Sequence, residues 1–356
     1  MIGTDSEQWE ARLAAAGLTL RPATRQAPPE VPRPAWPIRL LAGIGGFIGG
    51  IMILLFLGLG LANLNLFNSP GAASLIGMAL CGGAVAAYRV GAGSAAVEQG
   101  GLAISIAGQM ALGFGVAQWF DHHSRPLLWP LVLVQIAMLL LVNNGLHRTL
   151  VAAGMVLLGT LSCRGMGDAA LWWGLVAFGV VFLLWGEGHG VVRGWVDFVS
   201  PVVFGATGGL IASQFAWTSG VGRALELPAS GPLWATTLPA LGLAVMWASD
   251  GLDSRRRAGV VLLAMAAGLM GLWLPGWTPA LLLAVLGLAW ARPAWAVVAV
   301  AAMVGAVSQY YYNLRLTLLE KAAWMAAAGL ACLVLAALVH WLAPRLAPAH
   351  PPSEKP

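Results

Sequence analysis

Charge is scarce in this chain. Only 9% of its 356 residues are charged, against roughly a quarter in a soluble domain. So few charged groups cannot solvate a globule of this length. Cysteine is scarce too: Cys81, Cys163 and Cys332 form an odd set with no CxxC and no Cys/His cluster. That spacing implies neither a disulfide framework nor a zinc site. Each lies in or beside an apolar run, where cysteine acts as a small packing residue. The first 37 residues hold no apolar core followed by a small-residue cleavage site, so they do not read as a signal peptide. The net charge of +5 is modest and comes mostly from arginine near the ends of apolar runs. That pattern concerns membrane topology and not nucleic acid.

What the chain has instead is apolar length. Hydrophobic residues make up 59% of it, and they fall into about a dozen stretches of roughly 15 to 27 residues. Lipid cannot bond to exposed peptide groups, so such stretches read as helices that satisfy their own backbone. The expected class is all-α, a polytopic transmembrane bundle of about 12 spanning helices. The expected spans are 38–62, 70–90, 98–120, 126–144, 148–163, 168–186, 199–217, 231–249, 257–274, 276–291, 293–312 and 317–343. Pro275 and Pro279 around Gly276 allow a re-entrant pair in place of two full spans. The 46 glycines suit close helix packing in lipid. Gly45/Gly49, Gly46/Gly50 and Gly205/Gly209 are GxxxG pairs that permit it, within or between protomers. No internal repeat of the kind common in transporters stands out.

Residues 1–37 form a polar head. Thr4 and Glu7 fit a capping box for a short amphipathic helix through Trp9, Leu13 and Ala16, which Gly17 stops. A Pro/Arg-rich linker runs from Arg21 to Pro37 and excludes a helix there. The transmembrane domain is 38–343, and the proline-rich tail 344–356 is expected to be disordered. With twelve spans, Arg125, Arg164, Arg223, Arg315 and Lys321 fall on one side and the other fourteen of the 19 Lys and Arg residues on the side of the N-terminus. The positive-inside rule then puts both termini in the cytoplasm.

The most distinctive segment is Gln309–Lys321, which holds three of the four tyrosines. Tyrosines favour the membrane–water interface, and Thr317 with Glu320 forms a capping box for the last helix. Neighbouring helical residues differ by about 100°, so three adjacent tyrosines cannot share one face. A docking role for Tyr310, Tyr311, Tyr312, Arg315 and Lys321 is the functional reading. Within the spans, no Asp, Glu, Lys, Arg or His lies near a helix centre. Proton- and voltage-coupled machines keep such groups at depth. Gln109 and Gln135, near the middles of their spans, are the deepest polar residues, able to bond each other or a substrate.

Weaker candidates remain. Glu187, His189 and Asp197 share a glycine-rich loop with Arg193, flanked by Trp185 and Trp195, and match no metal motif. Asp121-His122-His123 is a poor preformed chelate. Gly91-Ala92-Gly93-Ser94-Ala95-Ala96 imitates the start of a dinucleotide fingerprint but follows a helix and not a strand. Arg255-Arg256-Arg257, after Asp250 and Asp253, is a topology signal able to meet anionic lipid.

Two stretches carry a family resemblance. One is Pro34-Ala35-Trp36-Pro37-Ile38-Arg39-Leu40-Leu41, leading into the first span. The other is Tyr311, Tyr312, Leu314, Thr317, Leu318, Leu319 and Lys321, leading into the last. Together they resemble the bacterial membrane family known as domain of unknown function 4401, over residues from about 34 to 343, with Ala322 where members often have Ser. The polar head also looks like that of the related family numbered 2157. The resemblance implies a Gram-negative inner-membrane protein, often encoded beside a membrane-anchored protein with a GDYxxLxY motif, and it implies no activity or cofactor. The expected function is a non-enzymatic subunit of an envelope membrane complex, with lipid bilayer and the GDYxxLxY protein as partners. The alternative is a transporter or lipid flippase. An intramembrane enzyme would need a convergent acid, base and nucleophile, and the spans offer none.

Overall fold

The structure, a computed structural model, describes residues 69–90, 95–119, 129–163, 166–188, 196–218, 236–272 and 274–313, with isolated helical positions between 48 and 60 and scattered positions from 317 to 330. Several expectations lie outside these residues: the polar head and linker, most of the first and last spans, the Asp121-His122-His123 loop, His189, Arg193, Arg315, Lys321, Cys332 and the tail. The described residues are helical with no strand. In order they are α1 (Pro70–Val90), α2 (Ala95–Trp119), α3 (Trp129–Leu141), α4 (Gly145–Ser162), α5 (Met166–Gly188), α6 (Val196–Thr218), α7 (Leu238–Ala248), α8 (Ser254–Leu269) with a 3-10 turn at Met270–Leu272, α9 (Trp277–Ala289) and α10 (Pro293–Asn313).

Six of these helices, α1, α2, α4, α5, α6 and α10, are long and apolar enough to cross a membrane. The expected count of about twelve is therefore not met among the described residues. The shortfall has a geometric cause. At 1.5 Å per residue, the 13 residues of α3 and of α9 reach only about 20 Å, short of a core about 30 Å thick. With 11 residues, α7 is shorter still. Arg255, Arg256 and Arg257 occupy the first turn of α8. Gly276, at φ 77°, supplies the left-handed residue between the 3-10 turn and α9. Its N–H donates to Oε1 of the fully buried Gln214 at 2.8 Å.

Local signals explain the helix starts. Pro70 opens α1, where its missing N–H is harmless, and the Ser69 carbonyl accepts from Ala73 N–H at 3.0 Å. Asn144 caps α4 through its side-chain oxygen, which accepts from His147 N–H at 3.0 Å. In α6, Pro201 has no N–H to give to the Asp197 carbonyl one turn back. Arg148 Nη1 donates to that carbonyl instead, at 3.2 Å.

Two helix pairs approach backbone to backbone. A Cβ on Gly77 of α1 would lie 2.7 Å from the Gly108 carbonyl oxygen of α2, and one on Gly108 would lie 2.8 Å from Cys81 Sγ. Cys81 is thus the small packing residue its sequence setting suggests, and Cys163 is likewise buried and free. The expected pair Gly205/Gly209 works within the protomer. A Cβ on Gly205 would collide with the Thr149 carbonyl, and one on Gly209 would lie 2.8 Å from that of Ala153, both on α4. Around this centre α6 also packs on α5, α9 and α10. The outer faces are apolar: Leu171, Leu175 and Phe182 of α5 are exposed, as are Val297, Val300 and Val304 of α10. A solvent-facing helix would put charges there; a lipid-facing one has no reason to.

The α4–α6 contact yields a sharp expectation. Gly205→Ala and Gly209→Ala should each destabilise the purified protein by about 1–3 kcal/mol through overpacking. Gly208→Ala, whose Cβ meets nothing within 4 Å, should be neutral or stabilising by up to about 1 kcal/mol. Thermal unfolding in detergent reads the difference, and equal melting of the three variants would refute the close approach.

Candidate functional site

A chain of side-chain hydrogen bonds crosses three helices. Gln135 Nε2 of α3 donates to Gln109 Oε1 of α2 at 2.8 Å. Gln109 Nε2 donates to Ser105 Oγ, one turn earlier, at 2.9 Å. Ser105 Oγ lies 2.9 Å from His147 Nε2 in the first turn of α4. Ser105 Oγ thus bonds both Gln109 and His147. Each such bond is worth about 0.6–1.7 kcal/mol in a membrane bundle. Two atoms are left over: Gln135 Oε1 and His147 Nδ1 are buried without a hydrogen-bond partner. An unmatched buried acceptor costs about 1–3 kcal/mol.

The chain sits at depth. Ser105 is eight residues beyond Val97, where the apolar window of α2 begins, hence about 12 Å into the span. His147 meets it there because α3 is short and returns the chain early. The edge of the Tyr88 ring packs on His147, with centroids 5.5 Å apart. Sequence reasoning placed His147 outside the span that begins at 148. The Asn144 cap starts α4 three residues sooner, and the short α3 sinks that start into the bundle. Arg148 follows it inward and is 8% exposed. Its guanidinium donates to Asn143 Oδ1 at 2.9 Å and lies 4.9 Å above the Phe198 ring. The absence of ionisable groups from helix centres thus did not keep them from the interior.

The glutamine pair borders a cavity of about 270 Å³ between α2, α3 and α4. Gln109 and Gln135 are its polar part; Ile106, Gly113, Leu131 and Leu158 are among its apolar lining. The sequence expectation that Gln109 and Gln135 bond each other is met.

The helix ends are sorted by charge. Tyr88, at the end of α1, bonds the Glu98 carbonyl at the start of α2 and packs on His147 at the start of α4. Arg148 reaches the start of α6. Glu187 at the end of α5 pairs with Arg292, before α10, at 3.5 Å. Trp247 at the end of α7 packs on Trp290 after α9, with centroids 4.3 Å apart. These contacts define one end of the bundle. All six arginines among the described residues, Arg89, Arg148, Arg255, Arg256, Arg257 and Arg292, lie at it. Arg256 and Arg257 pair with Asp253 and Asp250. Glu187 is not part of a solvated loop as its sequence setting suggests: its side chain is 11% exposed, against Arg292. Asp197 contributes a backbone carbonyl to Arg148. Among the described residues no group of three or more His, Cys, Asp or Glu can hold a metal.

The tyrosines mark the opposite end. Tyr310, Tyr311 and Tyr312 form the last turn of α10, with Tyr312 79% exposed and Tyr310 38%. The Tyr311 and Tyr312 rings meet edge to face at 5.5 Å. The expected capping box is in place. Thr317 N–H donates to a Glu320 carboxylate oxygen at 2.9 Å, and Glu320 N–H to Thr317 Oγ1 at 3.3 Å. The dinucleotide-like segment lies between α1 and α2, with a helix and not a strand before it.

The family model described as Domain of unknown function (DUF4401) matches residues 35–342. The match covers most of a chain whose described residues hold six helices long and apolar enough to cross a membrane, the makeup of a multi-pass membrane protein. It belongs to the DUF4401 family. No curated protein and no solved structure matches it.

The polar chain predicts non-additive mutations. Gln109→Leu and Gln135→Leu should each destabilise by about 1–3 kcal/mol, since each strands a buried partner. The double variant should lose less than the sum, with a coupling of about 0.6–1.7 kcal/mol. Strict additivity in detergent melting would show that the two amides do not meet.

Proposed function

We propose that the protein is a non-enzymatic, multi-pass subunit of a bacterial inner-membrane complex, with both termini in the cytoplasm, and that it docks its partner through the tyrosine end of α10. The observation that carries this reading is the exposed Tyr312 ring, beside Tyr310, at the end opposite the arginines. Exposed aromatic rings on a rigid helix end are the kind of anchor that dominates protein–protein affinity. Arg315 and Lys321 follow the tyrosines in sequence and complete the proposed contact set. The orientation draws support from the collection of all described arginines at one end, as the positive-inside rule asks of a cytoplasmic face. An even number of crossings then completes the topology. The partner of this reading is the membrane-anchored protein bearing the GDYxxLxY motif.

A second reading, movement of a lipid or apolar solute, is favoured by the cavity that reaches Gln109 and Gln135. In vesicles holding a fluorescent lipid, a flippase would expose the inner-leaflet label to an external quencher in a protein-dependent way. Protein-free and protein-loaded vesicles that quench to the same plateau would remove this reading.

Docking has its own test. Replacing Tyr310 and Tyr312 by alanine should lower co-purification of the GDYxxLxY protein by about 30-fold, the loss of one interface hot spot of about 2 kcal/mol. Leu171→Ala, on the exposed face of α5, should leave it unchanged. Wild-type recovery of the partner with the double tyrosine variant would end the proposal.

A further inference from the structure

We propose that the exposed face of α8, headed by Arg255, binds one anionic phospholipid, with the phosphate at the Arg255 guanidinium and an acyl chain along the helix below it. In the structure the arginine run divides. Arg257 pairs with Asp250 at 2.6 Å and Arg256 with Asp253 at 3.2 Å. Arg255 has no ion-pair or hydrogen-bond partner among the described residues. Three arginines against two aspartates leave one positive charge over, and it sits on Arg255. The helix itself gains nothing from that charge. All three arginines occupy the first turn, the positive end of the helix dipole, where cations are disfavoured. Aspartate offsets two of them; among the described residues nothing offsets the third.

The position of Arg255 on the helix supplies the second half of the site. Residues three or four apart share a face. Val261, Ala264 and Gly268 face the bundle: Val261 and Ala264 pack on the core, and Leu238 and Leu241 leave no room for a Cβ on Gly268. The opposite face runs through Arg255, Gly259, Leu262, Ala266 and Leu269, all of them exposed. Leu262 is 69% exposed. Below the arginine this face carries no polar side chain. From Gly259 to Leu269 it is about 15 Å long at 1.5 Å per residue. That is the depth of one leaflet of a hydrocarbon core about 30 Å thick. Arg255 stands at headgroup level. Three residues before Asp250, Trp247 packs on Trp290, and tryptophan belongs to the membrane–water interface. A phosphate at Arg255 thus has an acyl-chain track of one leaflet's depth directly beneath it.

Net charge chooses the headgroup. Every phospholipid has a phosphate, but a zwitterionic one brings an ammonium that cancels its charge. One surplus cation fits a headgroup with one surplus negative charge, as in phosphatidylglycerol. Asp250 and Asp253, the acids that would draw an ammonium, are already paired with arginine. Neither the docking of a partner at the tyrosines nor movement of a lipid bears on this site.

The test places the full chain in nanodiscs of phosphatidylcholine that carry a small fraction of phosphatidylglycerol or of phosphatidylethanolamine, each with a diazirine midway along one acyl chain. After irradiation, labelled peptides are quantified by mass spectrometry. Phosphatidylglycerol is expected to label residues 259–269 about fivefold more than phosphatidylethanolamine does, the attraction of one basic residue for an anionic lipid. On the exposed face of α10, at Val297, Val300 and Val304, the two lipids should label alike, because Arg292 at the start of that helix is engaged with Glu187. Arg255→Ala should bring phosphatidylglycerol labelling of α8 down to the phosphatidylethanolamine level, and Arg255→Lys should keep most of it. The alanine variant should fold, since it removes a cation from the positive end of a helix. Equal labelling of α8 by the two lipids in the unaltered protein would overturn the choice of headgroup and with it the site. Phosphatidylglycerol labelling that ignores Arg255→Ala, or the same preference on α10, would leave only a diffuse charged rim and would also overturn it.

Discussion

The contact between α4 and α6 governs this bundle. Gly205 and Gly209 remove the side chains that would hold the two helices apart, and the carbonyls of Thr149 and Ala153 occupy the space. In lipid there is no hydrophobic force between apolar helices, so close van der Waals packing has to supply the association. Once α6 is seated on α4, its other faces receive α5, α9 and α10. The same contact carries Arg148 to the carbonyl that Pro201 leaves without its helical partner. Glycine and proline in α6, both poor helix formers, are thus used where a neighbour needs access to the backbone.

Polar groups in such a setting have nowhere to go but to each other. The Gln135–Gln109–Ser105–His147 chain shows how far this demand reaches. It links the α1–α2 hairpin to the rest of the bundle, and its two ends differ in kind. At one end the His147 ring is enclosed beside Tyr88. At the other, the Gln135 amide oxygen is buried without a hydrogen-bond partner.

The bundle is also polarised along its length. Among the described residues arginine gathers at one end and Tyr310–Tyr312 at the other, with apolar outer faces between them. Arginine collects where its charge is wet or paired, and tyrosine where its ring is half buried. This arrangement orients a protein in a bilayer.

Much of this was legible in the chain. Apolar length defined the helices of the long spans, from 70–90 to 293–312, because a lipid-exposed backbone has only helical solutions. The capping box at Thr317 and Glu320, the packing role of Gly205 and Gly209, and the pairing of Gln109 with Gln135 also followed from residue type and spacing. What only the tertiary structure decided was depth and partnership. In sequence His147 looks like a loop residue and Arg148 like the edge of a span, yet a helix of 13 residues before them draws them inside. Ser105 is unremarkable until two neighbours use it. Hydropathy counts residues along one segment at a time, whereas depth depends on how short helices dock against long ones, and that relation exists only between segments.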